Sequence, residues 1–321
     1  MTVRILNTAD EFSTYEEALL GNSHATLWQS LAWKSYQESS GKEACIYTND
    51  NASALVIKDR TALGFCTFDV SRGPVWKTSG AAQALMKEIV EDAKKERCIE
   101  LTVSPIENLD LNDMGFTTSK RHVQPEATRI LDISVSEQEI LAKMHQKGRY
   151  NISLSERSGV KVRQGTIDDL DAFYELLRST GSRDGFTIAH QSHYGRFLRN
   201  LKGSFMLLAE HEGRPIAGLL GGLYNKAGIY YYGASSYAHR HLMAPYALQW
   251  AALRHCKHAG CLTYDLLGVS PEPTKPNDPW LGISDFKRKF GGTLMHYPPE
   301  QILILHPIVK KLFAIKRQIL G

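Results

Sequence analysis

Two groups of residues in this sequence have side chains that commonly do chemistry. The basic run Lys287–Lys289 stands between two phenylalanines. Such a run either contacts an anionic backbone, such as that of RNA, or forms a solvated turn. His239 and His241 flank Arg240, but two histidines so placed in a loop, without further ligands, make poor metal geometry. We therefore expect no metal site.

The cysteines form no recognisable redox or metal motif. Their number is odd, no two are spaced as Cys-x-x-Cys, and most lie in apolar runs. We expect buried free thiols in a reducing compartment, because the alternative, a nucleophilic cysteine, lacks a nearby orienting partner. The cysteines are Cys45, Cys66, Cys98, Cys256 and Cys261.

Composition narrows the class of protein. The 321 residues include 38 Lys and Arg against 34 Asp and Glu, which gives a net charge of +4, and 43% are hydrophobic and 22% charged. This balance excludes a disordered chain, a collagen-like chain and a disulfide scaffold, and it allows an anionic partner. The sequence shows neither a signal-peptide pattern nor an apolar window of about 18 residues, so we expect a cytoplasmic protein without a transmembrane helix.

The order of predicted elements repeats along the chain, at a spacing of roughly 160 residues. The first half reads as a strand at Val3–Asn7, helices at Asp10–Leu20 and Leu27–Gln37, three strands between Ala44 and Phe68, a helix over Ala82–Ala93, and a strand at Cys98–Val103. The second half reads as a strand at Val160–Arg163, a helix capped by Thr166, a helix over Ser192–Leu201, strands between Phe205 and Tyr232, a helix from Pro245, and a strand at Cys261–Leu267.

This β-α-α-β-β-β-α-β order resembles that of the acetyltransferase-like (GNAT) fold. The sequence therefore predicts an α/β (α+β) protein with two tandem GNAT-like domains, at 1–145 and 146–299. The basic amphipathic helix within 300–321 either packs back on domain 1, which we favour, or contacts an anionic membrane surface.

The segment that would bind acyl-CoA in such a fold departs from the usual pattern. A GNAT enzyme holds the pyrophosphate on backbone N–H groups of a Gln/Arg-x-x-Gly-x-Gly/Ala loop at a helix N-terminus. Here the loop reads Arg240-His241-Leu242-Met243-Ala244-Pro245, so Met243 and Pro245 replace the two small residues. Because methionine is bulky and proline lacks an N–H group, acyl-CoA is disfavoured as the donor.

Several segments resemble the Fem (FemABX) family of aminoacyl-tRNA-dependent peptidyltransferases, which build peptide bridges of bacterial peptidoglycan. No sustained heptad run is present, so the chain resembles the short members that lack a coiled-coil arm. The segments that carry the resemblance are Leu27–Trp33, Arg72–Val75, Lys147–Ile152, Gly159–Val162, Arg183–Phe186, Tyr232–Ser236, Met243–Trp250, Tyr264–Val269 and Phe286–Gly292.

The resemblance implies transfer of an amino acid from aminoacyl-tRNA to an amine of a peptidoglycan precursor stem peptide. The acceptor would be UDP-MurNAc-pentapeptide or lipid II, no cofactor would be needed, and the protein would act in the cytoplasm or at the inner membrane face. The oligomeric state would be a monomer or a Fem-like dimer.

The same resemblance assigns roles to individual residues. It implies that Lys287 contacts the oxyanion or the tRNA end, with Arg288 and Lys289 on the RNA backbone. Tyr246 matches a tyrosine that lines the peptide site, and the alternative for it is packing across the sheet.

The acceptor is anionic, so basic residues are expected around it. His190 stands where the family has an arginine, so the phosphate contact either falls to His190 or is supplied by Arg183 or Arg196. The other candidate substrate-binding residues are Lys34, Arg72, Gly73, Tyr194, Tyr232 and Arg240. For Lys34 and His190 the alternative is an ordinary surface position.

One residue departs from the family where a carboxylate is sometimes proposed as the base. Ser104 occupies that position, and serine alone is not a general base, so we expect proton removal by substrate groups or water. Asp265 is more simply a structural residue at a strand end.

Three other functions remain open from sequence. The acceptor could be a lipid headgroup or a small peptide instead of a muropeptide. The chain could be a non-catalytic Fem-like binding partner, which the changes at His190 and Ser104 motivate. The third is an acyl-CoA N-acyltransferase.

Overall fold

The computed structural model describes residues 2–22, 24–120, 123–273, 278 and 280–320, with side chains as far as 315 in the last helix. These residues form two compact units. Unit 1 consists of Met1–Glu126 and Tyr297–Gly321, and unit 2 of Ala127–His296. Each unit is described by itself below.

The strands and helices, numbered along the chain, follow. The strands are β1 Arg4–Ile5, β2 Glu43–Asn49, β3 Ala52–Arg60, β4 Cys66–Ser71, β5 Val75–Trp76, β6 Cys98–Ser104, β7 Thr117–Thr118, β8 Ala127–Asp132, β9 Lys161–Gly165, β10 Ser204–His211, β11 Arg214–Tyr224, β12 Ala227–Ser235, β13 Thr263–Gly268, β14 Thr293–His296 and β15 Gln301–Ile304. The α-helices are α1 Ala9–Leu20, α2 Leu31–Ser39, α3 Ser79–Lys95, α4 Glu137–Lys143, α5 Gln146–Arg157, α6 Leu170–Asp184, α7 Gln191–Asn200, α8 Ala244–His258, α9 Leu281–Arg288 and α10 Pro307–Leu320.

Unit 1 is built on one sheet with the order β1-β2-β3-β4-β6-β15-β7, and β5 pairs with β3. In this sheet β4 pairs in parallel with β6, across the connection that contains α3. The apolar series of α3 at i, i+3, i+4, i+7 and i+8 is buried against the sheet, as the sequence pattern predicts. Every residue of β6 is buried, because it lies between β4 and β15.

Unit 2 repeats this plan with the order β14-β8-β13-β12-β11-β10-β9. Its parallel pair joins β12 to β13, across the connection that contains α8. Ala217 and Leu219 of β11 belong to the core that includes α8, whereas a Cβ on Gly218 would meet Phe173 of α6 at 2.8 Å. Since side chains alternate along a strand, α6 and α8 cover opposite faces of the sheet. This is the two-domain GNAT-like architecture that the sequence predicts.

The division of the chain differs from the predicted boundary between 145 and 146. Residues 127–145 belong to unit 2, because β8 pairs with both β13 and β14 of that unit. The segment after His296 returns to unit 1, where β15 pairs with β6 and β7 and α10 packs on β6. Both β8 and β15 are short strands, so tertiary structure, and not the local sequence pattern, decides which strands they pair with.

Local signals at several element ends are confirmed. The Thr166 hydroxyl accepts a hydrogen bond from the Asp168 N–H at 3.2 Å, while the Asp169 carboxylate accepts from the Thr166 N–H at 2.8 Å. Pro245 lies in the first turn of α8.

All five cysteines are free, and four of them are buried.

No coiled-coil arm is present in the described part of unit 2, where the longest helices, α6 and α8, have 15 residues each. Among the described residues, no helix combines the length and hydropathy needed to cross a bilayer.

Candidate active site

Lys287 is a buried lysine near the end of α9. Only 6% of the residue is exposed, and its ammonium donates a hydrogen bond to the Gly268 carbonyl oxygen at 2.7 Å. The ammonium also lies 5.5 Å from the ring centroid of Tyr230, within cation–π range. Burial disfavours the charged form and lowers the pKa of Lys287 from 10.5 to about 8, against a smaller opposing effect of the Asp265 carboxylate. A cation held ready in an apolar environment can stabilise developing negative charge strongly.

The Gly268 carbonyl oxygen that accepts the hydrogen bond from Lys287 lies at the end of β13, where hydrogen bonds of Asp265 hold the backbone in place. The Asp265 carboxylate accepts hydrogen bonds from the Leu267 N–H at 2.7 Å and from the Thr128 hydroxyl. A Cβ on Gly268 would overlap the indole of Trp280, so only glycine allows this close approach. Asp265 therefore positions the strand end, as the sequence interpretation expects.

Tyr246 lies in the first turn of α8 and packs against α9. It is 7% exposed, and its ring centroid lies 5.1 Å from that of Phe286 and 5.6 Å from that of Phe290. These two phenylalanines flank the basic run that contains Lys287. The aromatic contacts thus join the start of α8 to α9, and Tyr246 has the packing role that the sequence left open beside a substrate contact.

A cavity of about 180 Å³ opens at this end of unit 2. Tyr246 and Phe286 form part of its wall, and Arg240 contributes a charge. The guanidinium groups of Arg240 and Arg183 lie 4.1 and 5.8 Å from the Tyr237 ring centroid, on the segment that follows β12. The remaining lining residues are Ile216, Ser235, Ser236, His239, Met243, Ala244 and Pro245.

Arg183 and Arg240 differ in how much of their charge is already paired. Arg183 forms two hydrogen bonds to the Asp184 carboxylate, at 2.6 and 2.7 Å, and donates to the Ser235 carbonyl oxygen at 3.2 Å. The hydrogen bonds from the Arg183 guanidinium lower the pKa of the Asp184 carboxyl group. Arg240 is exposed and donates to the Tyr237 carbonyl oxygen at 3.2 Å. Arg240 therefore gives the cavity lining a positive charge of the kind that an anionic substrate group requires.

Tyr194 and Tyr232 lie together on the side of the sheet that α7 covers. Their ring centroids are 5.0 Å apart, and the Tyr232 hydroxyl is hydrogen-bonded to His193 at 2.8 Å. The Tyr194 hydroxyl accepts from the Ala189 N–H at 3.2 Å. His190 caps α7 by accepting from the Ser192 N–H at 3.3 Å. The pair of tyrosines and His190 thus organise the start of α7.

Arg196, the other arginine considered for the phosphate contact, lies on α7. Its Nε is buried and has no hydrogen-bond partner among the described residues.

In unit 1, Arg72 is buried and Gly73 is closely packed against a neighbouring side chain. Arg72 is 3% exposed, stacks 3.8 Å from the Tyr297 ring centroid, and donates to the Pro125 carbonyl oxygen at 2.7 Å. A Cβ on Gly73 would lie 2.5 Å from the side-chain nitrogen of Gln29. This geometry gives Arg72 and Gly73 a structural part in holding the Gly-Pro loop.

Lys34 lies on α2 in the same unit. Its ammonium forms an ion pair with Glu38 at 2.6 Å and lies 5.1 Å from the Phe12 ring centroid. These contacts hold the ammonium near α1.

Gln29 and Ser30, in the segment Leu27–Trp33, both have structural roles. The fully buried Gln29 side chain donates to the Ser71 carbonyl oxygen at 2.7 Å and accepts from the Leu55 N–H at 2.8 Å. Ser30 next to it caps α2 by accepting from the Trp33 N–H at 3.0 Å. The segment therefore ties two strands to the start of a helix.

The other two members of the basic run differ from Lys287. Arg288 is exposed and paired with Asp285 at 2.5 Å. Lys289 is half-buried, and its carbonyl oxygen accepts from the His145 N–H at 3.1 Å. A Cβ on Gly148 would overlap that same carbonyl, so the Lys147–Ile152 segment packs directly on the run.

Ser104 donates a hydrogen bond to the carboxylate of Glu300 at 3.2 Å, and both residues are 3% exposed. A carboxylate from β15's N-terminal flank thus lies beside the position where the sequence has serine. No local pattern could have revealed this, since 196 positions separate the two residues.

Metal ligation has no support in the described part of the chain, where no three His, Cys, Asp or Glu side chains are grouped for it.

Comparison with known proteins agrees with this architecture. The FemAB family model matches residues 7–115, 114–212 and 204–317. The chain belongs to the FemAB family. Among the similar proteins are the lipid II:glycine glycyltransferases of Staphylococcus haemolyticus and Staphylococcus aureus (strain NCTC 8325 / PS 47). They are 24% and 22% identical, and each match covers 74% of this chain and 76% of the relative.

Solved structures share the fold of this FemAB-family chain. The crystal structure of FemX has a TM-score of 0.79 at 19% identity and covers 96% of this chain and 99% of that one. A tandem GNAT protein from the clavulanic acid biosynthesis pathway has a TM-score of 0.57 at 12% identity, covering 94% and 98%. The structure of L-PGS from Bacillus licheniformis has a TM-score of 0.58 at 13% identity, covering 97% and 96%.

Sequence reasoning missed three residues of the site. The family resemblance points to His190, which stands at the position of an arginine, whereas His193 is the histidine that contacts Tyr232. Gly268 accepts the hydrogen bond of the Lys287 ammonium, and Trp280 packs where a Cβ on Gly268 would lie, but both contacts are visible only in three dimensions. For Gly268 the available signal was its position in a segment that resembles the family.

Proposed function

We propose that this FemAB-family chain is an acyltransferase that moves an amino acid from aminoacyl-tRNA to the amine of a peptidoglycan precursor stem peptide. Family membership and relatives named as lipid II:glycine glycyltransferases support the acyltransferase and its class of acceptor. The observation that carries the proposal is the buried ammonium of Lys287, held on the Gly268 carbonyl next to the aromatic contacts of Tyr246.

The proposed reaction needs positioning and charge stabilisation more than activation. The acceptor amine attacks the ester carbonyl carbon, a C–N bond forms, and the tetrahedral intermediate expels the ribose hydroxyl as the ester C–O bond breaks. The Lys287 ammonium stabilises the oxyanion, since its charge is buried and therefore poorly screened by water. The proton of the amine passes to the departing oxygen or to water. No essential protein base is required in this scheme.

An acyl-CoA donor is less compatible with the start of α8. The N–H groups of Leu242 and Met243 donate to carbonyl oxygens of the same short turn, at 3.0 and 3.2 Å, and Pro245 has none. Met243 adopts a left-handed conformation with φ of 53°. Few N–H groups are therefore left to hold a pyrophosphate.

The decisive experiment is an amino-acid transfer assay. Purified protein is mixed with a pool of charged tRNAs and, in separate reactions, with UDP-MurNAc-pentapeptide, lipid II, a phospholipid or a small peptide, and the mass of the product is measured by mass spectrometry. We expect a mass increase of one amino acid, which RNase treatment abolishes. Transfer only to a phospholipid or a small peptide would replace the acceptor class, and no transfer to any acceptor would overturn the proposal in favour of a binding partner.

Matched variants test the role of Lys287 in that assay. Lys287→Met is expected to lower kcat by about 100- to 1,000-fold, the usual effect of losing one oxyanion contact. Lys202→Met, which changes an exposed lysine in the turn before β10, is the control and should keep full activity. Equal activity of both variants would show that the Lys287 cation takes no part in the reaction.

A further inference from the structure

The C-terminal helix α10 carries apolar residues on two faces, and only one of them is covered. Val309 and Phe313 are half-buried where α10 packs on β6, and Lys310 on this side pairs with Glu100 at 2.7 Å. Ile308, Leu312 and Ile315 are 76%, 61% and 44% exposed. The helix is therefore attached to unit 1 by one face and presents a second apolar face to the outside.

The spacing of the exposed residues makes this face a continuous stripe. Positions 308, 312 and 315 follow the i, i+4, i+7 pattern, which places three large aliphatic side chains on one side of the helix. Soluble proteins rarely leave such a stripe uncovered unless it is an interaction site.

The charge of α10 points to the kind of partner. Its sequence contains Lys310, Lys311, Lys316 and Arg317 and no acidic residue. The exposed Lys311 lies directly beside the stripe, next to Leu312. An apolar stripe beside an exposed lysine, on a helix without acidic residues, matches an anionic lipid surface, where the aliphatic side chains enter the acyl boundary and Lys311 reaches the headgroups.

We propose that α10 docks this protein on an anionic membrane surface through Ile308, Leu312 and Ile315. The helix has 14 residues, so it lies in the interface and does not span the bilayer. Docking on this face leaves the contacts of α10 with β6 intact. The inference rests on α10 alone, and it goes beyond the proposed transfer reaction, which requires no membrane contact by this helix.

Vesicle flotation with the full-length protein tests the proposal. Vesicles of equal parts phosphatidylglycerol and phosphatidylcholine are expected to carry the protein upward in a density gradient, whereas vesicles of phosphatidylcholine alone carry much less. The double variant Ile308→Glu/Leu312→Glu should lower the partition coefficient by at least about tenfold. Added salt should weaken binding of the wild type, because the headgroup contacts are electrostatic.

Controls separate docking from damage to the fold. Leu262→Glu changes a leucine that is 47% exposed in unit 2 and should float like the wild type. Thermal unfolding should show that the double variant remains folded, because both altered side chains are already exposed. Wild-type protein that fails to float with anionic vesicles, or a double variant that floats equally well, would overturn the proposal.

A second copy of the chain is the competing occupant of this face. Sedimentation analysis that finds a wild-type dimer, lost in Ile308→Glu/Leu312→Glu without any vesicle binding, would replace the membrane by self-association. Flotation involves no aminoacyl transfer, so its failure leaves the transferase proposal untouched, and an inactive enzyme that floats leaves the docking proposal intact.

Discussion

At the scale of single residues, Lys287 combines a favourable chemical position with a cost in stability. Burial in the folded state lowers the pKa of Lys287 from 10.5 to about 8. At neutral pH the folded protein therefore contains a buried cation that would be better solvated in water. A shift of this size corresponds to about 3 kcal/mol. A residue that only served stability would not be placed in this way, which supports the proposed role in the reaction.

Lys287→Met should therefore make the protein more stable at neutral pH while removing activity. The gain is about 2 kcal/mol, because removal of the buried charge outweighs the lost hydrogen bond to Gly268, worth about 1 kcal/mol. The folded pKa is the lower one, so between about 8 and 10.5 the unfolded chain binds the extra proton and wild-type stability rises with pH. The advantage of the variant should shrink across this window, as measured by urea unfolding at several pH values. A variant less stable than the wild type at neutral pH would contradict this account.

The pH dependence of the rate provides a second test of the same residue. The reacting amine must be neutral, and a lysine-type amine has a pKa of about 10.4, so the rate at low acceptor concentration should first rise about tenfold per pH unit. Above about 8 the loss of the Lys287 charge should cancel this rise and produce a plateau. In Lys287→Met the much lower rate should continue to rise through the same range. Parallel profiles of the two proteins would assign the plateau to another group.

At the scale of elements, segments that resemble the family contact one another across long stretches of chain. The Gln29 side chain fills the space that a Cβ on Gly73 would need, and Gly148 packs on the carbonyl of Lys289. Glycine is required at both positions because the opposing group is held by its own hydrogen bonds. Close packing is thus one physical reason for the residues in these motifs.

Gly73→Ala should destabilise unit 1 by about 1 to 3 kcal/mol, the usual cost of overpacking. Gln29 cannot move aside without losing its bonds to Ser71 and Leu55. Gly80→Ala is the matched control, because a Cβ there meets nothing within 4 Å and alanine favours the helix α3. Denaturant unfolding of the two variants should therefore shift in opposite directions, and equal shifts would show that the Gly73 contact relaxes easily.

At the scale of the whole molecule, sequence predicted what local periodicity encodes and missed what distant pairing decides. The stripe of α3 and the repeated element order gave the two GNAT-like units, since both signals lie within short windows. β8 and β15 have six and four residues, and their partners lie far along the chain, so the boundary at 145 was misplaced. Lys287 was reached through a motif, but its contact with the Gly268 carbonyl and the stacking of Arg72 on Tyr297 required the fold.

The return of the chain to unit 1 leads to a prediction about truncation. β15 pairs with both β6 and β7 and covers one edge of the buried β6, so its removal would leave backbone N–H and C=O groups of β6 unpaired and would expose its buried side chains. A chain that ends at His296 should therefore lose the folded state of unit 1, seen as loss of near-UV circular dichroism and as aggregation. A chain that ends at His306 keeps β15 and loses only α10, so it should remain folded with a lower Tm. If the shorter chain folded as well as the longer one, the pairing of β15 would contribute little, and unit 1 would be complete without the segment that follows unit 2.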